Sequence, residues 1–345
     1  MSRILYLSAH SILEYDEVSI LHELGHDVFS PGAYVEPQNP GNAYARPDVK
    51  GLRYDPYIVD QYHKIGGMYP GQDAKDYLTP EFISNFDIII VMHMPRWIVK
   101  NWDAFKGKKV VWRTIGQSID KVEESLKPFR DKGMKIVRYS PKEREIPGYL
   151  GEDAIIRFYK DPEEFKGWTG EKNYIVNFTQ SMKSRGEHCN WQVFNLITSG
   201  LPTIVYGPNN EDLGEVSGGF LGYEDLKKEL RLNRVYLYTG TQPSSYALNF
   251  IEAWMTGIPI VALGPKFTES IYKDHHLYEV SSLIQNEVNG FWSNNVDELR
   301  NYCMTLLNDS GLADKIGKAG RASAIEYFAK DKIREEWRKF IDSLA

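Results

Sequence analysis

Residues 234–264 read RVYLYTGTQPSSYALNFIEAWMTGIPIVALG, and the fold is decided there. Val235 and Leu237 alternate with their neighbours as in a short strand, and the small residues Thr239 to Ser245 form a turn. From Ala247 to Met255 the side chains Leu248, Ile251, Ala253 and Met255 fit a largely buried helix that Gly257 is placed to end. Ile258 to Leu263 is a continuous apolar run of the buried-strand kind. The unit is therefore strand, loop, helix, strand. In such a unit the loop and the helix N-terminus lie at the carboxyl edge of a parallel sheet, where unpaired N–H groups and the helix dipole favour phosphate. Glu252, one turn into the helix, is placed to accept hydrogen bonds from the vicinal hydroxyls of a ribose. A solvated helix carboxylate is the alternative.

PSSYALNFIEAWMTGIPIVA resembles the donor-site signature of retaining GT-B glycosyltransferases of the family 4 type. On that register Glu252 matches the second glutamate of a paired-glutamate motif, Tyr246 its aromatic, and Gly257 and Pro259 the Gly-x-Pro turn into the last strand. Ser244 stands where the first glutamate, usually associated with the sugar, is expected. The resemblance implies an α/β chain of GT-B architecture, two Rossmann-like doubly wound parallel-sheet domains facing a cleft. The expected division is an acceptor-side domain over 1–160, a linker over 161–172, a nucleotide-sugar domain over 173–328 and a last helix, 329–345, crossing back to the first domain.

A chain of 345 residues is long enough for two such domains. Its two cysteines, Cys189 and Cys303, make neither a disulfide framework nor a metal cluster. MSRILYLSAH enters a strand-like run without the long apolar region of a signal peptide, and no stretch approaches about 18 apolar residues, so a cytoplasmic location is expected. The net charge of −6 is uneven: residues 96–145 hold 14 Lys and Arg against 7 Asp and Glu, a local +7 that leaves −13 elsewhere. Such a zone suits an anionic partner (membrane phospholipid, polyphosphate-linked acceptor or nucleic acid), or its cations only solvate helix faces.

Outward from the central stretch, ILYLSA at 3–8 reads as a first buried strand, 12–24 as a helix ending at Gly25, and HDVFS as a second strand. Residues 31–80 are rich in Pro and Tyr with weak periodicity and read as a binding loop on the acceptor side. FDIIIVM at 86–92 is a buried strand delivering His93, Met94 and Pro95 at its end. In the family a His-x-Pro stands there with its histidine near the transferred sugar. Strands at 109–113 and 135–138 flank a helix at 118–132, and residues 114–117 form another edge loop. After a polar linker and a strand at 174–178 comes TQSMKSRG, then a helix from about Glu187 to Thr198. The family's first C-terminal loop presents two cations to the donor diphosphate; Arg185 before Gly186 and Lys183 match them. Gly222 and Tyr223, in GFLGY, resemble the turn beside the nucleotide base.

What the resemblance implies is a hexosyltransferase taking a nucleoside-diphosphate sugar, UDP-sugar by preference, to an acceptor hydroxyl with retention. Catalysis is expected at His93. Donor contacts are expected from Lys183, Arg185, Gly222, Tyr223, Ser244, Tyr246, Ala247, Leu248 and Glu252. No Asp-x-Asp tripeptide occurs, so no metal is expected, the two cations neutralising the leaving diphosphate instead; no cofactor is expected beyond the co-substrate. Glu14, Asp16 and Glu17 offer a base for an inverting reaction, or are surface helix charges. Two further readings stand beside this one. A DNA-base glycosyltransferase acting on hydroxymethylated pyrimidines would use the basic zone, and an inactive nucleotide-sugar binder would explain Ser244.

Overall fold

The computed structural model describes residues 1–32, 55–67, 74–116 and 118–344, so most of the tyrosine-rich loop expected over 31–80, and Gln117, lie outside the described residues. It divides into two compact units: residues 1–144, 148–156 and 331–345 in the first, and 145–147 and 157–330 in the second.

The first unit runs β1 (Arg3–Leu7), α1 (Ser11–Glu23), β2 (Asp27–Phe29), α2 (Pro56–Lys64), α3 (Pro80–Ile83), β3 (Ile88–Met92), α4 (Pro95–Asn101), β4 (Lys109–Arg113), α5 (Asp120–Arg130), β5 (Lys135–Arg138) and β6 (Ala154–Ile155). Among the described residues these strands form one parallel sheet in the order β2-β1-β3-β4-β5-β6. The central β3 is buried along its whole length, which is why its sequence is a continuous apolar run with no alternation. One of its faces joins Leu5, Leu7, Phe82, Phe86, Trp97, Trp112 and Ile136 in a core that α2 and α3 also enter through Ile58, Tyr62 and Phe82. The stretch read as an aperiodic loop thus holds α2 and ends where α3 begins, each helix opened by a side-chain cap and a proline. Asp55 accepts from Tyr57 N at 2.9 Å and Thr79 from Phe82 N at 3.2 Å. Both are too short for a periodic signal.

Three of the four carboxylates of α1 are not surface charges: Glu14, Asp16 and Glu17 are each 2% exposed. Glu17 is held on both oxygens. Arg113, the last residue of β4, donates to Oε1 from Nε (2.8 Å) and Nη2 (2.5 Å), and Tyr6 donates to Oε2. Arg113 also donates from Nη1 to Ile156 O at 2.7 Å and lies 5.5 Å from the ring of Trp337. Burial and the Glu17 charge push the Tyr6 phenol well up. With its acceptors so engaged, Glu17 is a structural anion and not a free base.

The second unit contains β7 (Lys172–Phe178), α6 (Trp191–Thr198), β8 (Thr203–Tyr206), β9 (Ser217–Gly219), α7 (Tyr223–Leu232), β10 (Asn233–Tyr238), α8 (Leu248–Thr256) and β11 (Ile260–Leu263). Then come α9 (Pro265–Thr268), α10 (Val280–Leu283), β12 (Phe291–Ser293), α11 (Val296–Asn308) and α12 (Ser310–Phe328), while α13 (Lys330–Ser343) belongs almost wholly to the first unit. The described strands form a second parallel sheet, β12-β11-β10-β7-β8-β9, which is the dinucleotide-fold order with its reversal between β7 and β10. On β10, Val235 and Leu237 enter the core of one face with Ile175, Val261 and Leu263. Tyr236 and Tyr238 lie on the opposite face, and Tyr238 meets Phe250 of α8 at 5.3 Å. Gly257 ends α8 at φ 96°, as expected of its place.

Two expectations need correction. Residues 161–172 are no linker: Phe165 is 1% exposed, Trp168 Nε1 donates to Asn233 O at 2.7 Å, and the N–H groups of Thr169 and Gly170 donate to Arg231 O. The polar composition around them concealed two aromatic anchors. The helix expected from Glu187 is broken at Asn190, whose φ of 56° separates a 3-10 turn (Gly186–Cys189) from α6. Asn tolerates that left-handed conformation, and its Nδ2 donates to Thr239 O at 2.8 Å.

Replacing Arg113 by Met strands a buried carboxylate, so Arg113→Met should lower the unfolding free energy by about 3–5 kcal/mol. Adding Glu17→Gln should return part of that loss, as read from urea unfolding of the single and double variants.

Candidate functional site

Where neighbouring parallel strands send their connections to opposite sides, the loops at their carboxyl ends part and leave a crevice. In the second unit this occurs between β7 and β10. The loop after β7 carries Lys183 and Arg185; the loop after β10 carries Ser244, Tyr246 and Ala247 and leads into α8. The two loops are joined by hydrogen bonds: Gln242 N donates to His188 O (2.9 Å), Gln242 Nε2 to Glu187 O (3.0 Å), and Asn190 Nδ2 to Thr239 O. Gly207, ending β8, sits against the first of them at φ 144°, where a Cβ would meet Thr179 O at 2.6 Å. Any larger residue there would force the loop outward.

Lys183 and Arg185 are both exposed and touch only carbonyls. Lys183 Nζ lies 3.1 Å from Asp212 O, and Arg185 Nη1 is 3.5 Å from Gln180 O. Among the described residues neither has a carboxylate partner. At the end of the adjoining loop α8 starts without a side-chain cap: Ala247 N donates to Tyr238 Oη at 3.0 Å, whereas the N–H groups of Leu248 and Asn249 find no acceptor among the described residues. A loop with two cations that lack carboxylate partners is thus hydrogen-bonded to the loop that leads into an uncapped helix start, and cations and free helix-end N–H groups are both features that favour anions.

The remaining expected residues fall in different surroundings. Ser244 is half-buried in the same loop, its N–H donating to Thr241 O. Tyr246, expected to face the donor, points inward: it is 2% exposed and packs edge-on against Phe158 (6.0 Å) and Phe328 (5.2 Å), with Arg157 5.8 Å from its ring. It supports the loop from within. Arg157 is itself clamped by Glu279, which it grips with both terminal nitrogens. Gly222 is the exposed N-cap residue of α7, two strands from β7, and the Tyr223 ring lies against Phe165 and under Lys227 Nζ at 4.6 Å. Glu252 is not a solvated helix carboxylate. It is 6% exposed, and its Oε1 lies 3.1 Å from Nζ of Lys160.

Sequence reasoning missed Lys160 and Asn249. Asn249 Nδ2 donates to Phe178 O at 2.5 Å, tying α8 to the end of β7, and its Oδ1 is buried with no hydrogen-bond partner among the described residues. No local pattern marks either residue, since each is defined by a partner on another element.

In the first unit the reversal lies between β1 and β3, and His93 follows β3 directly. Its φ is 75°, with Met94 N bonded to Met92 O at 2.9 Å across it, a tight turn that a non-glycine residue adopts only under strain. The imidazole is half-buried, and desolvation holds its pKa below the usual value, leaving it neutral at pH 7.

The basic zone 96–145 is less available than its composition suggests. At least seven of its cations are matched with carboxylates: Arg96 and Lys100 with Asp76, Arg113 with Glu17, Arg130 and Lys135 with Asp153, Arg138 with Glu123, and Arg144 with Glu152. Among the described residues no helix is long and apolar enough to cross a membrane, and no three His, Cys, Asp or Glu side chains are grouped to share a metal ion.

No family model matches the sequence, and no curated protein sequence matches it. Solved structures do. Sucrose-phosphate synthase from Thermosynechococcus elongatus is 14% identical, covering 100% of this chain and 99% of its own, with a TM-score of 0.66. A glycosyltransferase from Rickettsia africae is 15% identical over 99% and 98%, with a TM-score of 0.64. HepE from Anabaena, solved with UDP-glucose, is 13% identical over 99% and 100%, with a TM-score of 0.63. At such identities the likeness is one of fold, and the fold is GT-B with its two Rossmann-like units.

If the turn at His93 is strained, His93→Gly should be more stable than His93→Ala by about 1 kcal/mol in chemical denaturation. Because burial lowers the His93 pKa in the folded chain, its contribution to stability is present above about pH 6.5 and is lost as the pH falls. The stability of the wild type relative to His93→Gly should therefore decline between pH 7 and pH 5.

Proposed function

We propose that the chain is a glycosyltransferase that moves a hexose from a nucleoside-diphosphate sugar, UDP-sugar by preference, to an acceptor hydroxyl, with retention of configuration and without a metal. The observation that carries this reading is the pair of exposed cations that lack carboxylate partners among the described residues, Lys183 and Arg185, on the loop hydrogen-bonded to the one that leads into the uncapped start of α8 at the switch point of the second sheet. In the transfer the bond between the anomeric carbon and the diphosphate breaks, its electron pair leaving with the nucleotide. A new bond forms to the acceptor oxygen, which gives up its proton. The negative charge grows on the diphosphate, where a guanidinium, an ammonium and helix-end amides stabilise it most.

In this reading Lys183 and Arg185 hold the diphosphate, with the backbone of Ala247 and Leu248 on the distal phosphate. Glu252 takes the ribose, Gly222 and Tyr223 lie near the base, and Ser244 meets the sugar in place of a carboxylate. His93 is assigned to the reacting sugar on the strength of its strained backbone and neutral ring. The solved complex of HepE with UDP-glucose, on the same fold, supports a nucleotide-sugar donor. The pairing within the basic zone gives less support to a nucleic-acid or membrane partner than the composition did.

Arg185→Ala should weaken UDP at least about tenfold in titration calorimetry, a charge-assisted hydrogen bond being lost, and Lys183→Ala should weaken it less. Unchanged affinity in both variants would sink the diphosphate assignment. Incubation with UDP- and GDP-sugars, followed by mass spectrometry, separates enzyme from binder: donor breakdown or transfer is expected. Tight binding without turnover by any donor would leave a nucleotide-sugar-binding protein.

A further inference from the structure

Lys160 stands in a stretch whose composition suggests solvent, yet its side chain is 1% exposed. Its backbone is anchored, its N–H donating to Phe328 O at 3.0 Å and the residue forming a parallel bridge with Ala329. The ring of Phe165 lies 5.8 Å from the ammonium. A lysine is ordinarily a point charge on a flexible stem, and here the stem is enclosed and its root is pinned. The charge it presents is fixed in place, 3.1 Å from Oε1 of Glu252.

For Glu252 this has a consequence beyond stability. A carboxylate offers about four acceptor sites on two oxygens, and Lys160 occupies only one oxygen. The other makes no hydrogen bond among the described residues, and the side chain keeps 8% of its exposure. With one oxygen clamped the carboxylate plane cannot turn freely, so the second acceptor is pre-set for whatever reaches that opening. A vicinal diol, with two donors at fixed spacing, gains most from a carboxylate that does not need ordering on binding.

We propose that Lys160 is a positioning residue: by clamping Glu252 it makes the site select ribonucleoside diphosphates over their 2′-deoxy counterparts. The inference rests on the reading of this edge as a nucleoside-diphosphate site. A merely structural ion pair would behave differently, since its loss would weaken both nucleotides in parallel or neither.

The test is titration calorimetry of the full-length chain with UDP against 2′-deoxy-UDP, and GDP against 2′-deoxy-GDP, on wild type, Lys160→Met and Lys160→Arg, with thermal unfolding to confirm that each variant is folded. Wild type should favour the ribonucleotide about tenfold. Lys160→Met should bring the ratio near one by weakening the ribonucleotide while leaving the deoxynucleotide unchanged. Lys160→Arg should also flatten it, because a guanidinium fork takes both carboxylate oxygens. Either folded variant decides the matter. A ratio kept in a folded variant, a parallel loss of both affinities, or a wild type binding both sugars equally overturns the proposal while leaving the diphosphate site intact. A wild type that binds none of the four nucleotides overturns the reading of the site itself.

Discussion

The pairing of β7 with β10 is the constraint on which the second unit depends. Val235 lies opposite Ile175 and Tyr236 opposite Val176, so the first and fourth strands of that unit run side by side at the centre of its sheet. Their loops must then emerge together. The loop with the two cations meets the loop that starts α8, and hydrogen bonds from Gln242 and Asn190 lock them. Were β10 at an edge, the same residues would stand apart and hold nothing between them. The first unit repeats the arrangement between β1 and β3, where the strained His93 turn emerges.

Both units bury charge to an extent unusual for chains whose Lys, Glu and Arg mostly face water, and the described ion pairs among these are close. Arg113 with Glu17, Arg157 with Glu279 and Lys160 with Glu252 join parts of the chain distant in sequence, and Arg138 with Glu123 ties β5 to the helix before it. Such pairs contribute little net stability, because desolvation offsets attraction, but removing one partner is costly. Their effect is therefore on geometry. Arg138 grips Glu123 with both terminal nitrogens and lies 4.6 Å from the ring of Tyr149, so β5 ends in a fixed charge much as β4 does. Lys183 and Arg185 are the contrast: exposed, with only carbonyls near them, they keep their charge available. That contrast between consumed and available cations separates scaffold from site more clearly than residue type does. The net count of the basic zone could not, since it counts a buried, paired cation such as Arg113 like any other.

Much of the fold was legible because it is local. Apolar runs marked β3 and β11, Gly257 marked the end of α8, and the alternation of strand and helix implied parallel sheets with loops at one edge. Lys183 and Arg185 were singled out by the resemblance of the loop after β7, and Glu252 by its place one turn into α8 together with the same resemblance. The errors are of one kind. Residues 161–172 read as linker because polar neighbours hid Phe165 and Trp168, and the carboxylates of α1 read as surface because a helix sequence does not say how many of its sides are covered. Tyr246 was given an outward role that its packing against Phe158 and Phe328 denies it.

The sequence by itself determined the class of most of the elements, the edge at which the loops would gather and the chemical character expected of the candidate site. Periodicity and turn residues act over a few neighbours, and that information is written along the chain. Only the tertiary structure decided which loops stand side by side, that Glu17 meets an arginine 96 residues away, and that Glu252 shares its burial with Lys160. Those outcomes depend on strand order and on the depth at which a charge comes to rest. Both follow from packing the sheets against their helices, a balance struck across the whole unit at once.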